Sequence, residues 1–125
     1  MRPSSIIEPT PHHMPEINEI TQFLIRFRNE RDWEQFHNSK NLAVALSIEA
    51  AELNELFLWK TVEECEQVDK EKIADELADV LVYSFFLAHR QGLDIKQIIM
   101  NKMAKNAAKY PVHLAKGNAR KYDEL

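Results

Sequence analysis

Only two glycines and one cysteine occur in 125 residues, and runs that alternate apolar and polar side chains are scarce. A sheet with tight hairpin turns has little to build on, so the composition favours an all-helical chain. The lone Cys65 cannot close an internal disulfide and has no second cysteine or histidine at ligand spacing, which suits a reducing cytoplasm. The opening stretch, "MRPSSIIEPTPHHMP", lacks the apolar core of a secretory signal. The most apolar run, residues 80–88, is far shorter than the roughly 20 residues that cross a bilayer, so the expectation is a cytoplasmic protein without a membrane partner. Sixteen basic residues are dispersed among twenty acidic ones, for a formal charge of −4. Such a surface carries no footprint for a nucleic-acid backbone.

A chain of this length supports one domain. Four of the five prolines fall in the first fifteen residues, which marks residues 1–15 as a flexible arm and residues 16–125 as the domain. His12 and His13, in the arm, are assigned no role. Beyond it, Ile17, Ile20, Leu24 and Phe27 make the apolar stripe of a first helix. Ser39 is the expected N-cap of a second, running to about Lys60. Thr61 and Glu64 spell a capping box. Asp69 caps a third helix, which continues to Arg90 and stops at Gly92. Asp94 caps a fourth, ended near Tyr110 by Pro111. Four amphipathic helices with short connections form an antiparallel four-helix bundle. The third is apolar on nearly every side over residues 80–88, which calls for a second layer. A homo-oligomer supplies it, with a tetramer expected and a dimer as the alternative.

Two helices place acids where leucines belong. At about 100° per residue, Glu49 lies amid Leu42, Leu46, Leu53 and Leu56, with Glu52 about 60° to its side and Glu55 about 120° away. In the same way Glu76 lies amid Ile73, Val80, Tyr83 and Leu87, with Asp79 about 60° to its side. Four facing carboxylates repel one another and each resists desolvation. They can be protonated, paired with a base such as Lys72 or Arg90, or bound to metal, and metal is the economical solution. An oxygen-only set suits Mg²⁺, with Mn²⁺ as a substitute. A di-iron centre would want histidine at the fourth place of each pair. Glu52 and Asp79 stand there, and His89 points about 140° from Glu76.

Mg²⁺ held by few carboxylates keeps positions for phosphates. The inner face of the fourth helix opens with Ile95, Ile98 and Ile99 and continues as Lys102, Asn106 and Lys109. This is either a phosphate-binding stripe or the solvated basic end of a helix.

The pair "EAAE" and "ELAD", separated by 23 residues, resembles the MazG-like all-alpha nucleotide pyrophosphohydrolase family. With "ERDWEQFH", "ELFLWK", "DELADVLVY", "KMAKNAAKYP" and "HLAKGNARKYDEL" in order, the resemblance extends to its dCTP pyrophosphatase branch over residues 16–125. It implies Mg²⁺-dependent hydrolysis of nucleoside triphosphates to monophosphate and pyrophosphate, with dCTP or modified pyrimidine nucleotides as substrates, in nucleotide-pool house-cleaning. Glu49, Glu52, Glu76 and Asp79 then hold the metal, and the Glu49 and Glu52 pair supplies the general base, Glu52 being preferred. Lys102, Asn106 and Tyr110 match positions that contact triphosphate and sugar, with Lys109 beside them. Trp33, Trp59 and Tyr83 match positions lining the nucleoside pocket. The branch has a base-pocket histidine where this chain has Leu24, which cannot hydrogen-bond to a pyrimidine edge. The alternative is a non-catalytic helical adaptor whose acids are structurally paired.

Overall fold

The computed structural model describes residues 16–125; the proposed arm lies outside them. Every regular element among the described residues is helical: α1 (Ile17–Glu30), α2 (Ser39–Glu55), α3 (Val62–Cys65), α4 (Lys70–Arg90), α5 (Ile95–Lys109) and α6 (Val112–Ala115), with 3-10 turns at Glu34–Phe36 and Tyr122–Glu124.

The boundaries follow local chemistry. Asn38, not Ser39, caps α2: its Oδ1 accepts from the Asn41 amide at 2.8 Å, and Ser39 is the first helical residue. The Ser39 hydroxyl is thereby free to accept from Gln91 Nε2, at the far end of α4. α2 stops at Glu55, before the expected Lys60, because the chain turns through residues 56–58 and Trp59 takes a left-handed φ of +62°. Thr61 and Glu64 form the expected capping box, and Asp69 and Asp94 accept from Glu71 and Gln97 amides at the starts of α4 and α5. At the end of α4 the Gly92 amide reaches His89 O and the Leu93 amide reaches Ala88 O. That pair of bonds is a Schellman cap, and glycine accommodates its φ of +66°.

α2 and α4 form the principal pair, and α1 lies more lightly on α4. The hydrogen bond between the start of α2 and the end of α4 makes that pair antiparallel. Leu42, 2 % exposed, Phe86 and Ala88 are the fully buried apolar side chains among the described residues. α1 turns a slightly different face inward than its apolar stripe suggests. Ile17, Thr21 and Leu24 are half-buried and Arg28 is buried, whereas Ile20 and Phe27 are more exposed. Arg28 belongs inside because its Nε and Nη2 both donate to Asn29 Oδ1, its Nη2 lies 3.6 Å from Glu34, and its carbonyl accepts from the amides of Arg31 and Trp33. It thus ties the turn after α1. His37 closes the same turn by packing its ring against Phe86, centroids 4.8 Å apart.

The all-helical expectation holds among the described residues, and the closest helix packing there is that of α2 with α4, then α1 with α4. α5 approaches the other helices only sparsely. Val44, Ile48, Leu77 and Leu81, on the two principal helices, are exposed, as are Ile99, Met100 and Met103 on α5. Leu42 on α2 is the most deeply buried apolar side chain among the described residues, so Leu42→Ala lowers stability by about 3 kcal/mol, measurable as a reduced midpoint in urea denaturation.

Candidate metal centre

The antiparallel register of α2 and α4 sets the two displaced acid pairs against each other. One carboxylate oxygen each from Glu49, Glu76 and Asp79 lies within 4.8 Å of the others. Glu52 is in hydrogen-bonding reach of both Glu49 and Glu76, so all four acids found in the sequence converge. Glu49 and Glu76 are half-buried and Glu52 and Asp79 exposed. Each of the two inner glutamates hides one oxygen, Glu49 Oε2 and Glu76 Oε2, that has no hydrogen-bond partner.

No basic side chain among the described residues pairs with them. The ion pairs among the described residues join Arg28 to Glu34 and Arg31 to Glu30, and neither Lys72 nor Arg90 pairs with the four acids. The Glu49 carboxyl is consequently pushed up from 4.5 to about 7. Burial is the largest cause, followed by the hydrogen bond with Glu52, which only a protonated partner can donate, and by the charges of Glu52, Asp79 and Glu76. Glu76 is raised as well, first by burial and then by the Glu52 charge. Tyr83 faces the same field: burial first, then the charges of Glu49, Asp79 and Glu52, raise its phenol.

A crowded set of carboxylates in which burial and neighbouring acids disfavour the charged form of Glu49 and Glu76 fits a hard metal ion. Its donors are all oxygen, two of them are orphaned, and oxygens around one octahedral Mg²⁺ lie about 3 to 4 Å apart, a spacing that small side-chain rotations reach from the observed arrangement. Glu49, Glu52, Glu76 and Asp79 are the residues that would hold it.

The other expected residues are more scattered. Trp33 follows Asp32, whose φ is +54°, and rests its ring edgewise on Phe27 at 5.9 Å. Trp59, 93 % exposed, projects from the turn after α2. Asn106 is half-buried, and Lys102, Lys109 and Tyr110 are exposed along α5. The structure brings Tyr83 to the acids. Because α5 packs sparsely, it does not bring the α5 stripe into close packing with α2 or α4 within one chain. Leu24 is half-buried on the inner face of α1. Two features escaped sequence reasoning. Arg28, as the buried tie of the Trp33 turn, offered no signal beyond a charge beside the α1 stripe. Tyr122 packs its ring against Lys109 and Tyr110, from a tail whose apolar anchors are too isolated to define a periodicity.

Fold and site together define an all-helical protein carrying a four-carboxylate cluster suited to a divalent cation. The chain belongs to the MazG-like family, which matches residues 44–125. It is 41 % identical over 116 residues to dCTP pyrophosphatase 1 of Bos taurus, covering 89 % of this chain and 69 % of that protein. The Homo sapiens dCTP pyrophosphatase 1 is likewise 41 % identical, with 89 % and 68 % covered. A crystal structure of a pyrophosphatase from Archaeoglobus fulgidus superposes with a TM-score of 0.74 at 39 % identity, covering 82 % of this chain and 98 % of that one.

Because folding raises the Glu49 pKa, the folded chain retains a proton that the unfolded chain releases between pH 4.5 and about 7. Stability in EDTA therefore falls as pH rises through that window and levels off above it. Thermal melts across the window show this slope in EDTA, a smaller one in Glu49→Gln, and a higher, flatter profile with Mg²⁺.

Proposed function

We propose that this chain hydrolyses deoxynucleoside triphosphates between the α and β phosphates, releasing monophosphate and pyrophosphate, with Mg²⁺ as the working ion and Mn²⁺ as a substitute. The chain is a nucleotide pyrophosphohydrolase, as its relatives are. One observation carries the mechanistic reading: four carboxylates gather with no basic partner among the described residues and with two orphaned oxygens. A structural cluster would be paired, as the adaptor alternative requires.

When bound, the cation neutralises phosphate charge and acidifies water in the site. Glu49, Glu76 and Asp79, with Glu52 beside them, would hold it on the α2–α4 pair. Glu52 is exposed yet reaches both half-buried glutamates, so it can meet water from solvent and accept its proton as that water attacks the α phosphorus and pyrophosphate leaves. Lys102, Asn106, Lys109 and Tyr110 bind phosphates and sugar. Trp33, Trp59 and Tyr83 enclose the nucleoside.

The substrate is dCTP or a modified pyrimidine nucleotide, in line with the named activity of the relatives, and the role is clearance of surplus or non-standard nucleotides. Leu24 offers no hydrogen bond to the base, so discrimination among bases rests on shape and stacking and is weaker than a polar contact gives. The working form is a homo-oligomer, a tetramer, a reading supported by the exposed apolar side chains on α2, α4 and α5, since contiguous apolar patches mark interaction surfaces.

Pyrophosphate release from a panel of deoxynucleoside triphosphates, including dCTP and 5-modified forms, tests the reading. Activity appears with Mg²⁺ and vanishes in EDTA, and Glu52→Gln loses about 100-fold or more in kcat. No release from any nucleotide, with a Tm indifferent to Mg²⁺, would make the acids structural. Light scattering after size-exclusion chromatography gives a multiple of the chain mass, and Leu81→Lys reduces it.

A further inference from the structure

We infer that Tyr122, in the C-terminal tail, is a positioning residue that orders the phosphate-binding end of α5; this rests on the reading that Lys109 and Tyr110 touch the substrate. Lys109 is the last residue of α5 and Tyr110 its C-cap. A helix end is prone to fray, and a lysine there has four rotatable bonds to immobilise when phosphate binds. The chain supplies a clasp. Pro111 ends the helix, α6 follows at once, and the tail returns Tyr122 to the point it left twelve residues earlier. One ring then makes two contacts. The Lys109 ammonium lies over its face, 4.7 Å from the centroid, and the Tyr110 ring meets it at 6.1 Å and 85°.

The return path is specified by local bonds. Leu114 and Ala115 amides donate to Pro111 O. Asn118 Nδ2 donates to Leu114 O, and Asn118 Oδ1 accepts from the Arg120 amide. Between them Gly117 adopts a φ of +79°, a left-handed turn that other residues resist. The Glu124 amide closes the 3-10 turn on Lys121 O. Tyr122 is 45 % exposed, so hydrophobic burial gives little reason for so defined a path. Ordering Lys109 and Tyr110 does: side chains already held near their binding geometry lose less freedom when the triphosphate arrives. Such a role acts on substrate binding and leaves the acid cluster untouched.

Steady-state kinetics with Mg²⁺ and dCTP, together with thermal melts, test the inference in Tyr122→Ala, Tyr122→Phe, Lys109→Ala and Tyr110→Ala. Tyr122→Ala raises KM by about three- to tenfold with kcat and Tm unchanged, and Tyr122→Phe, which keeps the ring, restores the wild-type KM. A wild-type KM in Tyr122→Ala while Lys109→Ala raises it would overturn the inference. So would a Phe variant as impaired as the Ala variant, which would assign the effect to the hydroxyl, or a Tyr122→Ala chain that loses Tm and kcat with KM intact. If Lys109→Ala and Tyr110→Ala both keep the wild-type KM, the substrate assignment at this end of α5 is itself wrong and the inference falls with it.

Discussion

Mutual repulsion among Glu49, Glu52, Glu76 and Asp79 is the constraint around which the chain is organised. Two rigid helices hold the acids together, and the seam between them is pinned away from the cluster, by Leu42 and Phe86 in the core and by the Ser39–Gln91 hydrogen bond at the opposite end. A slip of one helical turn would displace one acid pair from the other by about 5 Å. Packing and capping therefore do electrostatic work at a distance: they fix a register that the charges themselves oppose. Burial first, and then the neighbouring acids, push Glu49 up to about 7, so the register holds this carboxyl where its charge is disfavoured.

Placing acids on the inner face has a second consequence. Positions that would otherwise hold leucines in the seam are given to carboxylates, so the single chain buries few side chains completely. Apolar residues appear instead on the outer faces of α2 and α4 and on α5. Local rules of patterning are broken at the site and answered elsewhere, as expected where function competes with foldability. A second layer of helix is the natural complement to such faces, and it would also give α5 something to pack against.

Much of this was legible in the sequence because helices report their buried face through a fixed period. Glu49 and Glu76 stood out since a charge amid leucines at helical spacing has no ordinary reason, and the capping residues Thr61, Asp69 and Asp94 could be read from side-chain chemistry alone. The misreadings have physical sources. Ser39 and Asn38 are both competent caps, and only the tertiary bond to Gln91 distinguishes them. The end of α2 depends on a left-handed Trp59, a conformation that a tryptophan does not advertise. How the apolar faces of α5 and of the outer sides of α2 and α4 are covered is not legible, because amphipathic periodicity says that a face will be covered without saying by which chain. The tail was unreadable because its path is set by short bonds around Gly117 and not by any repeat.

The distribution of these elements separates reaction class from base choice. The acids proposed for the chemistry sit on α2 and α4, whose geometry follows from packing and is hard to alter by degrees. The aromatic residues assigned to the nucleoside sit mostly at turns: Trp33 beside the strained Asp32 and tied by Arg28, Trp59 on its own left-handed bend. Turn residues can change with little effect on the seam, so base preference can drift while hydrolysis is retained. Leu24 lies on the inner face of α1, among residues that pack on α4. A polar residue there would need a partner to offset its desolvation, and a nucleotide base is one such partner. Leucine removes that need and lets the position contribute to packing whether or not substrate is bound. Under the proposed reading, then, a leucine at position 24 favours packing of α1 over a polar contact to the base.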